Sequence, residues 1–147
     1  MQGTAAVRTA ATLLWVLVGI GVLRTILTFA LFDSVLDAYV DRRGDIGLSR
    51  EVVEEGAPPY RPVAVVTGLL FAAVLSAAAL GVSRGRNWAR TLGFVLCGLV
   101  AFAGLISVIQ PAPIIFPLLG LTSAAVAIAA EVFLAKPEVR NWCRRRR

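Results

Sequence analysis

Few side chains in this sequence could carry chemistry, and two of them stand where charge is costly. Arg24 lies inside an apolar stretch, nine residues before Asp33, and Glu131 lies inside another, five residues before Lys136. Glu131 is the one carboxylate in such a stretch that could load a proton. Two cysteines complete the set, Cys97 in an apolar segment and Cys143 in a basic tail, positions that argue against a disulfide between them. Histidine is absent, which removes the usual metal ligand and general base. There is no P-loop, no G-x-S-x-G and no metal-spaced ligand cluster. Asp45 falls in a polar loop, which does not suit an intramembrane aspartyl site. The sequence therefore predicts no catalytic, cofactor-binding or metal residues, and not an enzyme.

The elements that hold these residues are set by composition. The 147-residue chain is 58% hydrophobic and 16% charged, with a mean hydropathy of +0.78. A soluble domain is usually about 45–50% apolar and about 25% charged. One small core cannot hide the excess, so lipid must face it. The charge of +6 would suit nucleic acid, but the basic residues sit at the ends of apolar segments and not on one soluble face. No nucleic acid partner is expected.

Four segments reach the roughly 20 apolar residues that cross a hydrocarbon core: 9–32, 63–82, 88–109 and 113–135. None alternates with period two, which disfavours a β-barrel, and helices satisfy their own backbone in lipid. The first segment is longer than a secretory signal and no A-x-A site follows it, so it reads as a retained anchor. The fold expected is all-α, a single polytopic membrane domain over 1–147 with four transmembrane helices in an antiparallel bundle.

Orientation follows the basic residues near helix ends. One side carries Arg8, Arg84, Arg86, Arg90, Lys136, Arg140 and Arg144 to Arg147 against Glu138 alone. The other carries Arg42, Arg43, Arg50 and Arg61 against seven carboxylates, from Asp33 to Glu55. The arginine-rich side, with both termini, is expected in the cytoplasm on an anionic inner leaflet. The outer loop 33–62 is then the only soluble part of any size. Within it Val35, Leu36, Tyr39 and Val40 form a helical stripe, and Ser49 can cap a short helix through Glu55, stopped by Gly56 and a 57–59 turn. It either covers the bundle mouth as a partner surface or is an ordinary connector. The second outer connection, 110–113, is short enough to force a hairpin, with Pro113 in a first helical turn and Pro117 bending the start of the fourth helix.

Membrane helices associate through small residues, and Ala64, Gly68, Ala72 and Ser76 repeat at four-residue spacing in the second segment. Ser123, Ala127 and Glu131 do so in the fourth, while Gly21 and Thr28 share the face of Arg24. By helical rise Arg24 lies about 13 Å inside the outer boundary and Glu131 about 7 Å inside the inner one. An unpaired charge near the bilayer centre costs at least about 2.5–3.5 kcal/mol, so both should avoid lipid. Two arrangements are open. Arg24 and Glu131 lean toward each other and form an intramembrane ion pair, or Arg24 reaches backbone carbonyls or lipid phosphate while Glu131 extends to the inner surface.

Two pentapeptides share the pattern R-N-W-x-R: one with Arg86, Trp88 and Arg90, the other with Arg140, Trp142 and Arg144. Arginine binds lipid phosphate and the indole lies at headgroup depth, so both copies read as interfacial anchors. They mark a duplicated two-helix unit or a coincidence within an arginine-rich belt. The heptapeptide Arg84-Gly85-Arg86-Asn87-Trp88-Ala89-Arg90 resembles the inner loop of small four-helix integral membrane proteins of actinobacteria, which likewise end in an arginine-rich tail. The resemblance implies a bacterial inner (cell) membrane setting and carries over no catalytic or binding residues. Fourteen arginines against one lysine agree with that source.

Two functional classes remain. The preferred one is a non-enzymatic accessory or scaffold protein that binds a membrane protein partner, or its own copy, through helices and outer loop. The other is a small oligomeric transporter or channel using Glu131 as its titratable group. Four-helix drug-efflux proteins resemble a pattern with a coupling glutamate in the first helix, where this chain has Arg24.

Overall fold

In a computed structural model of the chain, the residues described are 5–34, 37, 60–110 and 112–144. The expected stripe at 35–40, the short helix at 49–55 and the last three arginines lie mostly or wholly outside them. Among the described residues five helices are assigned: α1 (Ala5–Ala30), α2 (Tyr60–Ser83), α3 (Asn87–Ile106), α4 (Ile115–Ala135) and α5 (Pro137–Arg144). Among the described residues there is no strand.

Helices α1 to α4 are each long and apolar enough to cross a membrane. Their outward faces agree: Leu69, Leu70 and Phe102 are 65%, 62% and 63% exposed. Water would not tolerate so continuous an apolar surface on a monomer. The four helices form a square in which sequence neighbours pack side by side and α1 closes the ring against α4. The closest packing is α3 on α4 and α1 on α2, and the loosest adjacent pair is α2 and α3.

The turn between α2 and α3 explains one end of that pair. Arg86 N–H donates to the Gly81 carbonyl and Gly85 N–H to that of Val82, a Schellman closure with Gly85 in the left-handed region at φ 73°. The helices touch immediately above it, because a Cβ on Gly81 would strike the Cβ of Ala89. At the far end α3 leans instead on α4: a Cβ on Gly104 would strike the Gly120 carbonyl, and one on Gly120 the Ser107 hydroxyl. Thus α2 and α3 are clamped at their shared turn and part beyond it.

Packing is correspondingly uneven along the bundle. Ala10, Leu14, Leu75, Ala79, Val82, Ala89, Cys97, Ala127 and Leu134 build a closed core toward the end that carries α5. The opposite half is filled mainly where α3 meets α4, by Phe116 and Ala124. Pro117 is the third residue of α4, in a first turn whose N–H groups have no partner within the helix, so proline removes no bond there.

The tail was expected as a basic surface segment, and its first part is a helix. In α5, Val139 and Cys143 are buried one turn apart, while Glu138, Arg140, Asn141 and Arg144 are exposed. Eight residues make a marginal helix in isolation. Here the apolar edge is held by α1, α3 and α4.

Candidate functional site

The half of the bundle where α2 and α3 part contains a cavity of about 510 Å³, lined by all four long helices. From α1 come Gly21, Arg24, Thr25 and Thr28, from α2 Thr67, Gly68 and Phe71, from α3 Leu99 and Phe102, and from α4 Ser123. Small residues make the space, and Gly68 also sets the helix approach, since a Cβ there would lie 2.5 Å from Thr25 Oγ1. Thr67, Leu99 and Phe102 are exposed at the rim, on the two helices that pack least. The opening therefore faces sideways between α2 and α3.

The polar groups around this space are unequal. Thr25 Oγ1 donates to the Gly21 carbonyl at 3.0 Å, Thr28 Oγ1 to that of Arg24 at 2.8 Å, and Ser123 Oγ to that of Gly120 at 2.8 Å. Those hydroxyl protons are used within their own helices, which leaves lone pairs toward the cavity. Arg24 is the charged group of the lining. Its guanidinium offers five fixed N–H donors, and among the described residues no carboxylate lies within ion-pair distance of it.

Arg24, Gly21 and Thr28 share the face that the sequence assigns them. Glu131 is not on the same cavity. Its Oε1 lies 3.3 Å from where a Cβ on Gly98 would stand, and it is within electrostatic reach of the Cys97 thiol. Two geometric causes separate the charges. Ser123 and Glu131 are eight residues apart, which at 3.6 residues per turn rotates them about 80° from each other, so Ser123 faces the cavity and Glu131 faces α3. In addition, Gly93 places Leu134 and Leu14 at one level; Arg24 lies ten residues from Leu14 and Glu131 only three from Leu134, so the two charges stand at different heights along the bundle.

The two R-N-W-x-R copies are used differently, with one shared feature. In both, the fourth residue faces inward: Ala89 is 0% and Cys143 1% exposed. Arg86, Trp88, Arg140 and Arg144 are exposed. Trp142 packs against the core. Arg90 turns into the protein: its Nε donates to the Leu134 carbonyl at 2.9 Å, and its guanidinium lies 5.6 Å from the Phe94 ring centroid. Leu134 is in the last turn of α4, where carbonyls lack helical partners and a cation is favoured. Lys136 Nζ sits 4.2 Å from the Phe133 centroid beside it.

Cys97 and Cys143 are both buried free thiols. Burial pushes the Cys143 thiol up, with the Arg90 guanidinium pulling the other way. Among the described residues no three metal-ligating side chains come together. Sequence reasoning missed the cavity, the Arg90 cap and α5. Only α5 left a readable signal, Val139, Trp142 and Cys143 at helical spacing.

Fold and site together define a helical protein of the multi-pass membrane class, with a charged, laterally open cavity among its four long helices. No protein family, curated protein or solved structure matches the chain.

Proposed function

We propose that the protein is a non-enzymatic accessory binding protein of a bacterial inner membrane, which holds a molecule of the membrane in the laterally open cavity at Arg24. Its helices run antiparallel and both termini are cytoplasmic. Support for the antiparallel course comes from the order of opposed residues on α3 and α4, where Gly93 meets Leu134, Gly98 meets Glu131 and Gly104 meets Gly120. The orientation rests on the basic residues of the 84–86 turn and of the tail.

The observation that carries the reading is Arg24 itself. A guanidinium within a helix fit to cross a membrane raises the energy of the empty protein, and among the described residues nothing neutralises it. An occupant that brings a negative group offsets that cost, which turns a liability into affinity. The cavity volume also lies within the about 300–1,000 Å³ of ordinary ligand sites. The transporter reading through Glu131 has less support, because Glu131 lies at the α3–α4 seam and does not line this cavity.

The test is a photoreactive residue in place of Thr67, at the rim, in native membranes. An adduct is expected with otherwise wild-type protein and should be lost when Arg24→Gln is added. An unchanged adduct in the Arg24→Gln protein would sink the proposal.

A further inference from the structure

We infer that the occupant of the Arg24 cavity is a single-chain amphiphile with a compact anionic head, a carboxylate or a phosphate monoester. This rests on the reading of that cavity as a binding site, and adds the ligand's chemistry. Three observations carry it.

The first is volume. At about 30 Å³ for a group the size of water, 510 Å³ accommodates roughly 17 such groups, the size of one long acyl chain. The second is the lining. Phe71, Leu75, Leu99 and Phe102 give apolar walls, and the opening toward lipid lets a chain enter sideways. The third is the head site. Arg24 offers a planar fork that matches two oxygens of one anion, while the hydroxyls of Thr25 and Thr28 already donate to their own helix. Those hydroxyls have no proton left to offer an anion, so Arg24 alone sets the charge preference, matching one compact anion and repelling a cation. Arg24 lines the cavity from within α1, and a helical side chain leans toward its helix N-terminus, here the end of the closed core. The head must come down into the cavity to meet it, which favours a compact group over a large polar one.

The experiment uses the full chain in nanodiscs of phosphatidylcholine with palmitate bearing a terminal diazirine as probe. Labelling should map to α2 and α3. It should be competed by palmitate and by palmitoyl lysophosphatidate, the better competitor naming the head, and not by hexadecanol, hexadecylamine or dipalmitoyl phosphatidate. Arg24→Gln should lower labelling at least about tenfold, as loss of a charge-assisted bidentate contact requires. Thr28→Phe, which fills the cavity and leaves the guanidinium in place, should do the same, and Glu131→Gln should leave labelling intact. Equal competition by hexadecanol, or labelling that ignores both Arg24→Gln and Thr28→Phe, would overturn the inference. If the rim residue in native membranes instead captures an acidic helix of another protein, the ligand class fails while the cavity remains a binding site. If it captures nothing that depends on Arg24, both fail.

Discussion

Arg90, at the start of α3, donates from Nε to the carbonyl of Leu134 at the end of α4 across 2.9 Å. One side chain thereby joins the two helices and closes an orphan carbonyl beside α5. Hydrogen bonds that involve a charged group contribute about 1.5–3 kcal/mol. Arg90→Ala should lower stability by about that amount, read as the midpoint of unfolding in bicelles. Arg90→Lys should recover only part, since an ammonium lacks the fork. A midpoint unchanged in both variants would mean that this contact adds nothing to the fold.

Gly81 and Ala89 form the clamp at the α2–α3 turn. Gly81→Ala sets two methyl groups in one space, and overpacking of this kind costs about 1–3 kcal/mol. Ala89→Gly in the same chain should restore most of the loss. Gly19→Ala, where a Cβ meets nothing within 4 Å, should be neutral or mildly stabilising. Unfolding midpoints of the four proteins decide the matter, and equal effects at Gly81 and Gly19 would contradict it.

For Arg24 the prediction runs opposite to the usual effect of mutation. Removing a membrane-embedded charge should stabilise the ligand-free protein by up to about 2.5–3.5 kcal/mol, so Arg24→Leu should unfold later than wild type once bound lipid is stripped. A site kept for binding is often a site that costs stability. A lower midpoint for Arg24→Leu under those conditions would show that Arg24 supports the fold instead.

Cys143 gives a pH dependence. Burial raises its thiol above the ordinary value, so the unfolded chain ionises first. The thiol's contribution to stability is fully present below the unfolded pKa of about 8.5 and is lost as pH rises through the higher folded value. Cys143→Ala should flatten the alkaline limb of the stability curve. Arg90→Gln should slow alkylation of Cys143 further, because it removes the charge that favours the thiolate. Faster alkylation in Arg90→Gln would contradict this electrostatic assignment.

How far the sequence was legible follows from which quantities are local. Four apolar runs, their charged flanks and the face shared by Gly21, Arg24 and Thr28 depend on residue type and helical spacing alone, and the helices and cavity lining follow them. The meeting of Arg24 with Glu131 depended on helix rotation: over the eight residues from Ser123 the assumed stripe drifts by about 80°. Arg90 read as a lipid anchor because its flank says interface, whereas its turn inward requires knowing that Leu134 ends beside it. The cavity was not legible at all. It arises where α3 leans on α4 through Gly104 and Gly120 and leaves α2, a tertiary choice.

The lateral opening to lipid and the setting of the termini rest on four passes with the 84–86 turn and the tail inside. The most direct measurement places single cysteines at Ser34, Arg86 or Arg144 in a Cys97→Ala, Cys143→Ala background and treats intact cells with an impermeant maleimide. Ser34→Cys should be labelled in intact cells, and Arg86→Cys and Arg144→Cys only after permeabilisation. Exterior labelling at Arg86, or none at Ser34 until the membrane is opened, would contradict it.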